Sequence, residues 1–323
     1  MSLRSLVRAW NEFFFAPQPP LPVVLFRIFY GLLVLTDLVL LRPDWQTWFV
    51  PRGLITPETM RSIETGARID VFAIVGQSAF WRDAVFWILL ASAFMLTVGF
   101  RTRANSIVVW VLLASVHQRN LMITNSGDTI LRATGFFLMS APAGAAYSVD
   151  RWLRRRRGRE GAEIPLHSPW AQRMIQIELS LVYLMTFWTK SQGQSWIDGT
   201  ALHYVYHLDQ FRRFPVPAFF LDPFVVSIET WLTLAIEFSL GALIWFKELR
   251  YPVLLAGLIL HLSLEYAMNV PLFQWIMMAT LITFVEPADL ARAQAWLLQR
   301  IPLRLSAPAV ARRTAWSAAR ISR

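Results

Sequence analysis

The sequence predicts an all-α, polytopic transmembrane bundle of about eight helices with both termini in the cytoplasm. Composition, the spacing of apolar runs and the placement of basic residues lead to that fold class. Of 323 residues, 55% are hydrophobic and only 16% are charged, against about 25% charged in an ordinary soluble domain. Fifteen tryptophans and 23 phenylalanines suit a lipid-facing surface edged by aromatic belts. Cysteine is absent, which excludes disulfides, thiolate metal sites and thiol nucleophiles.

The elements follow in order. Residues 1–21 read as an interfacial amphipathic helix: Leu3, Leu6, Val7, Trp10, Phe13 and Phe14 recur at helical spacing, with Arg4 and Arg8 off that stripe. A cleaved signal peptide fits poorly, because the next apolar run is long, carries Arg27 and Asp37, and lacks a small-residue cleavage site. Crossing a hydrocarbon core of roughly 30 Å takes about 20 helical residues. The candidate runs are Val23 to Leu41, Ala84 to Phe100, Ala104 to Gln118, Ala133 to Val149, Met174 to Thr189, Phe224 to Phe246, Pro252 to Leu264 and Tyr266 to Val285. Together they define a transmembrane domain over 22–286, followed by a basic cytoplasmic tail, 287–323. Residues beyond Pro302 are Ala/Ser-rich and expected to be mobile.

Loop charge supports the count. With the N-terminus inside, the inner segments carry 20 Lys and Arg in 92 residues, and the outer segments carry 10 in 96. That twofold bias is the positive-inside pattern of a multi-pass protein of a bacterial inner membrane. The net charge of +10 lies mostly on inner loops and the tail, so anionic lipid headgroups are the expected partner and nucleic acid is not.

Ionisable residues within apolar runs require a reason. Arg27 and Asp37 lie ten residues apart in one run, some 15 Å along a helix, too far to pair. Arg27 is expected to snorkel or to meet a carboxylate such as Glu178. His261 and Glu265, four residues apart, project from one helix face and suit either a proton route or a hydrogen-bonded structural histidine. His203 and His207 share that spacing, but no HExxH or cysteine pattern accompanies them, and no metal site is expected. Phe187 to Ala201 (FWTKSQGQSWIDGTA) places Lys190 among aromatic residues where the fifth run leaves the membrane. Such a lysine serves either as a headgroup anchor or, once desolvated, as a general base.

Four stretches resemble the vitamin K-dependent gamma-carboxylase-like proteins, the HTTM (horizontally transferred transmembrane) family. They are Phe26-Arg27-Ile28-Phe29-Tyr30-Gly31 with Asp37; Gly99-Phe100-Arg101; Arg119-Asn120 with Asn125-Ser126-Gly127-Asp128 and Tyr147-Ser148-Val149-Asp150; and Lys190 with Trp196-Ile197-Asp198-Gly199. The resemblance spans residues from about 20 to about 290. It implies that Lys190 inherits the role of a base that deprotonates a quinone-like lipid. Asp198 and Asp128 would orient that base or the substrate, Arg119, Asn120, Trp196 and Gly199 would line an outer pocket, and Glu265 and His261 would supply a proton route. Three departures stand out. The carboxylases have two adjacent lysines where this chain has one, and an assisting histidine is missing near Gly127 and Asp128. The large lumenal C-terminal domain also has no counterpart in this sequence. These departures point away from a peptide glutamate carboxylase. They leave open an enzyme acting on a quinone-like or lipid substrate, or in secreted-peptide maturation, and a non-catalytic membrane partner of a thiol-oxidoreductase or peptide-maturation enzyme. A transporter fits less well, since no repeat or pair of broken helices is visible.

Overall fold

The structure is a computed structural model, and it describes residues 2–50, 55–63, 66, 68–76 and 78–300. Among these residues every regular element is helical, and the only β pairing is two isolated bridges, Gln18 with His167 and Arg212 with Met268. The helices are α1 (Leu3–Phe15), α2 (Leu21–Leu41), α3 (Trp45–Phe49), α4 (Pro57–Ile63), α5 (Val71–Val75), α6 (Ala79–Val98), α7 (Thr102–Arg119) and α8 (Ser126–Leu138). They continue with α9 (Val149–Arg156), α10 (Trp170–Ser191), α11 (Gln194–Ile197), α12 (Ala201–Tyr206), α13 (Pro223–Gly241), α14 (Lys247–Ala267), α15 (Phe273–Leu281) and α16 (Pro287–Arg300). The basic tail beyond Arg300 lies outside the described residues.

One apolar core joins the long helices: Tyr30 and Leu38 of α2, Leu89 of α6, Leu113 of α7, Leu131 of α8 and Ile175 of α10 are all buried. Helix α2 packs on α6, α6 on α7, α10 on α13, and α8 on α7, α10 and α15. Helices α2, α6 and α13 are each long and apolar enough to cross a membrane. Helices α7, α10 and α14 have comparable length (18, 22 and 21 residues) but carry more polar residues. Many of those residues point inward: Ser115, His117, Arg119, Gln172, Gln176, Ser180 and His261 are all buried. Large apolar side chains such as Trp87, Phe94, Met185 and Leu255 are on the outside instead. Polar groups turned into the bundle and apolar groups turned out is the arrangement expected when the surroundings are lipid.

The structure changes three expectations. The last apolar run, Tyr266 to Val285, is not one helix: Tyr266 belongs to α14, and α15 covers only Phe273–Leu281 before a 3-10 turn at Ile282–Phe284. The fourth helix begins earlier and ends earlier than its apolar run. Asn125 and Asp128 form a capping box that starts α8 at Ser126, and the helix stops at Leu138, just before the Pro142–Gly144 turn. Arg27 neither snorkels nor meets Glu178. It is fully buried, and its guanidinium donates to the carbonyls of Ala143 (3.1 Å), Tyr147 (2.7 Å) and Thr97 (3.3 Å). Thr97 lies in the last turn of α6, where carbonyls lack helical partners and the helix dipole favours a cation.

The same knot absorbs three of the stretches that carry the family resemblance. Gly99 takes φ +72°, and a Cβ there would collide with the Arg27 guanidinium and Ser148. The Asp150 carboxylate accepts from the Arg101 and Thr102 amides (2.7 and 2.8 Å), capping α7, and the Asp150 amide donates to Gly99 (2.9 Å). These residues hold α2, α6, α7 and α9 together at one end of the bundle.

Candidate functional site

At the opposite end, α10 rises to Lys190, its next-to-last residue. The Lys190 ammonium donates to the Glu237 carboxylate on α13, and its Nζ sits 4.8 Å from the centre of the Trp196 ring. Lys190 is 30% exposed and Glu237 only 9%, so the pair lies at the rim with its acid inward. The second oxygen of Glu237, Oε2, is buried without a hydrogen-bond partner. The aromatic face and the carboxylate both attract the Lys190 ammonium and fix its position. A buried carboxylate with an open lone pair is also placed to accept a proton.

The loop that brings Trp196 over Lys190 is built locally. Helix α11 follows Gly193, the Thr200 amide donates to Ser195 (2.8 Å), and Gln194 donates to Asp198 (2.7 Å). Gly199 has φ +74°, and a Cβ there would come within 2.9 Å of Ser227 and 3.0 Å of Trp231 on α13. Trp231 Nε1 in turn donates to the Ile197 carbonyl (3.2 Å). Glycine thus lets the loop close on α13, the helix that carries Glu237. Asp198 is exposed and bonded to Gln194, so the carboxylate beside Lys190 is Glu237 rather than Asp198.

Below Lys190 lies a second polar layer. Tyr183, seven residues earlier on α10, meets His261 Nε2 of α14 through its hydroxyl (2.6 Å), and His261 Nδ1 meets Gln274 Oε1 of α15 (2.6 Å). With an amide oxygen at Nδ1, that nitrogen donates and Nε2 accepts from Tyr183, the pattern of a neutral imidazole. All three residues are buried, and Tyr183 lies within electrostatic reach of Glu237. Glu265 shares a helix face with His261 but serves different partners. It pairs with Arg213 and accepts from Trp275 Nε1 (3.0 Å).

Three expected site residues gather elsewhere at this end, around the short link from α7 to α8. Arg119 is buried with Nη1 unpartnered and lies in the field of Asp70 and Glu58. Asn120 is fully buried; its Oδ1 accepts from the Met122 amide (3.1 Å) and its Nδ2 has no partner. Asp128 keeps one oxygen on the Asn125 amide (2.6 Å) and turns the other toward His117. The two groups share a wall. Asn125 donates to the Pro271 carbonyl (3.3 Å), and Gly127 abuts Phe273 and Ile276, on either side of Gln274. His203 and His207 stack at 4.4 Å between ring centres, and His207 Nδ1 lies 2.7 Å from the His203 carbonyl.

Sequence reasoning missed Glu237 as the partner of Lys190, and it passed over His117 altogether. The available signal was the placement of ionisable residues inside apolar helices.

Comparison with known proteins places these residues in context. The model of the HTTM domain matches residues 15–288. The chain is 23% identical over 214 residues to the uncharacterized protein YitO of Bacillus subtilis, covering 63% of this chain and 67% of that protein. It is 20% identical over 201 residues to the sporulation-delaying protein SdpB of the same organism, covering 60% of this chain and 61% of SdpB. No solved structure matches.

Proposed function

This chain belongs to the HTTM domain family and is a membrane protein, and from that premise we propose that it is a proton-transfer enzyme of the bacterial inner membrane. It crosses the bilayer eight times with both termini in the cytoplasm, and its site opens on the outer face. The substrate is a quinone-like or other lipid-soluble molecule carrying a weakly acidic O–H. The observation that carries this reading is the Lys190–Glu237 pair, set beside Trp196 with its carboxylate buried.

An ammonium cannot act as a base. When substrate covers the rim and excludes water, desolvation penalises both charges of the pair, and a proton passing from Lys190 to Glu237 relieves both. Lys190 is then a neutral amine and takes the substrate proton, with Trp196 supplying a flat apolar face for the ring. Gly199 keeps the loop closed on α13. The proton leaves Glu237 toward Tyr183 and His261, which are hydrogen-bonded to each other below the pair, with Tyr183 in the electrostatic reach of Glu237. Arg119, Asn120 and Asp128 line the neighbouring part of the same end, and Asp198 fixes the α11 turn. Helix α1 lies in the headgroup layer: Leu3, Leu6, Val7 and Trp10 are exposed, while Arg173 anchors its end through the Phe13 carbonyl (3.2 Å) and ring (4.8 Å). The Arg154–Arg157 run faces anionic lipid.

The rival reading is a non-catalytic membrane partner of a thiol-oxidoreductase or peptide-maturation enzyme, in which Lys190 and Glu237 are a structural pair. Binding of menadiol, a short reduced naphthoquinone, to the detergent-purified protein separates the two. Saturable binding that weakens about tenfold or more in Lys190→Ala supports the enzyme. Absence of binding, or equal binding in both proteins, favours the partner.

A further inference from the structure

We infer that Asp37, His117 and Asp128 form a binding site for one first-row divalent cation, of the Mn²⁺ to Zn²⁺ series, at the shared end of α2, α7 and α8. His117 Nε2 lies 3.7 Å from Asp128 Oδ1 and 4.0 Å from Asp37 Oδ2, and the three ligand atoms all fall within 4.8 Å of one another. These separations are too long for hydrogen bonds. They match two ligands on a common ion, because metal–ligand distances of about 2.1 Å put ligand pairs roughly 3.0 to 4.2 Å apart.

The cluster is more than two acids near each other. His117 is 3% exposed, is aimed into the gap, and has no hydrogen bond on either ring nitrogen among the described residues. A cation at Nε2 gives that nitrogen the partner that a buried imidazole normally finds, and leaves the ring proton on Nδ1, which has no partner among the described residues. Asp37 likewise accepts no hydrogen bond among the described residues, and Asp128 leaves Oδ1 open while Oδ2 caps α8. Arg132, one turn further along α8, donates to Thr129 (3.3 Å) and acts on Asp128 only as a through-space charge.

Ligand chemistry sets the class of ion. One imidazole with two carboxylates suits Mn²⁺, Fe²⁺, Co²⁺ or Zn²⁺, whereas an all-oxygen set would suit Ca²⁺ or Mg²⁺. Three protein ligands leave at least one position open to water or to an oxygen of a bound molecule. The ion would also tie the end of α2 to the α7–α8 link.

The test is elemental analysis of the purified full-length protein after equilibrium dialysis against Zn²⁺ or Mn²⁺. The wild-type chain is expected to hold about one ion, and Asp37→Asn and His117→Ala are expected to weaken uptake at least about tenfold. His203→Ala, which removes the surface histidine pair, should leave uptake unchanged. Failure of the wild type to take up stoichiometric metal overturns the site. So does equal uptake by Asp37→Asn, or loss of uptake in His203→Ala alone. Should His117→Ala fail to fold, Asp37→Asn decides, because its side chain is 24% exposed and its amide keeps the volume of the carboxylate.

Discussion

Lys190 and Glu237 stand 47 residues apart in the chain, yet they form one ion pair between α10 and α13, with the acid the more deeply buried partner. Removing one member leaves the other uncompensated in a poorly solvated place. Lys190→Met should therefore lower stability by about 1–3 kcal/mol, less than a fully buried pair would lose because Lys190 is partly exposed. The double replacement Lys190→Met/Glu237→Leu should recover most of that loss while remaining unable to transfer a proton. Thermal unfolding in detergent, run beside a menadiol-binding assay, reads both quantities.

Arg27 makes a prediction of the opposite kind, one about fold alone. Its three bonds to carbonyls join α2 to the end of α6 and to the 143–147 turn. Arg27→Leu should cost about 3–5 kcal/mol, because several buried acceptors lose a charged donor at once. Arg27→Lys should recover part of this, since one ammonium cannot reproduce the planar fork. Membrane abundance and monodispersity on size exclusion follow the loss.

Gly199 holds a left-handed backbone beside Ser227 and Trp231. Gly199→Ala should destabilise by about 1–3 kcal/mol and displace Trp196 from the Lys190 ammonium. Substrate affinity should fall even at temperatures where the protein remains folded. Measuring binding well below the unfolding midpoint separates the two effects.

His261 and Glu265 share a helix face but not a network. Tyr183→Phe should leave His261 Nε2 without its donor, at about 1–3 kcal/mol. Glu265→Gln should instead loosen Arg213. A double-mutant cycle between His261 and Glu265 should give a coupling within about 0.5 kcal/mol of zero. A coupling well above that would restore a single proton route through both residues.

The sequence made the helical class legible because lipid surroundings demand long apolar runs, and α2, α6 and α13 carry that signal fully. Helix α8 was misplaced because its start depends on the Asn125–Asp128 cap, whose residues are polar and fall outside the apolar run. Lys190 was visible as a lone cation at a membrane boundary. Glu237 was visible only as an acid inside the sixth run, since periodicity within α13 does not give its rotation against α10. Arg27 was expected to find a carboxylate, and found one carbonyl in the last turn of α6 and two in the 143–147 turn. His117 drew no notice because Asp37 and Asp128 come from separate helices and only the packing of α2 on the α7–α8 link brings the three together.

The most direct test of Lys190 as a base for a lipid-soluble substrate is mass spectrometry of quinones and lipids retained by the purified protein. It compares wild type, Lys190→Ala and Glu237→Gln, all confirmed as folded. A quinone-like molecule should copurify with the wild type near one per chain and fall by about tenfold or more in Lys190→Ala. Equal retention in all three proteins, or none in any, would contradict the assignment and leave Lys190 and Glu237 as a structural pair.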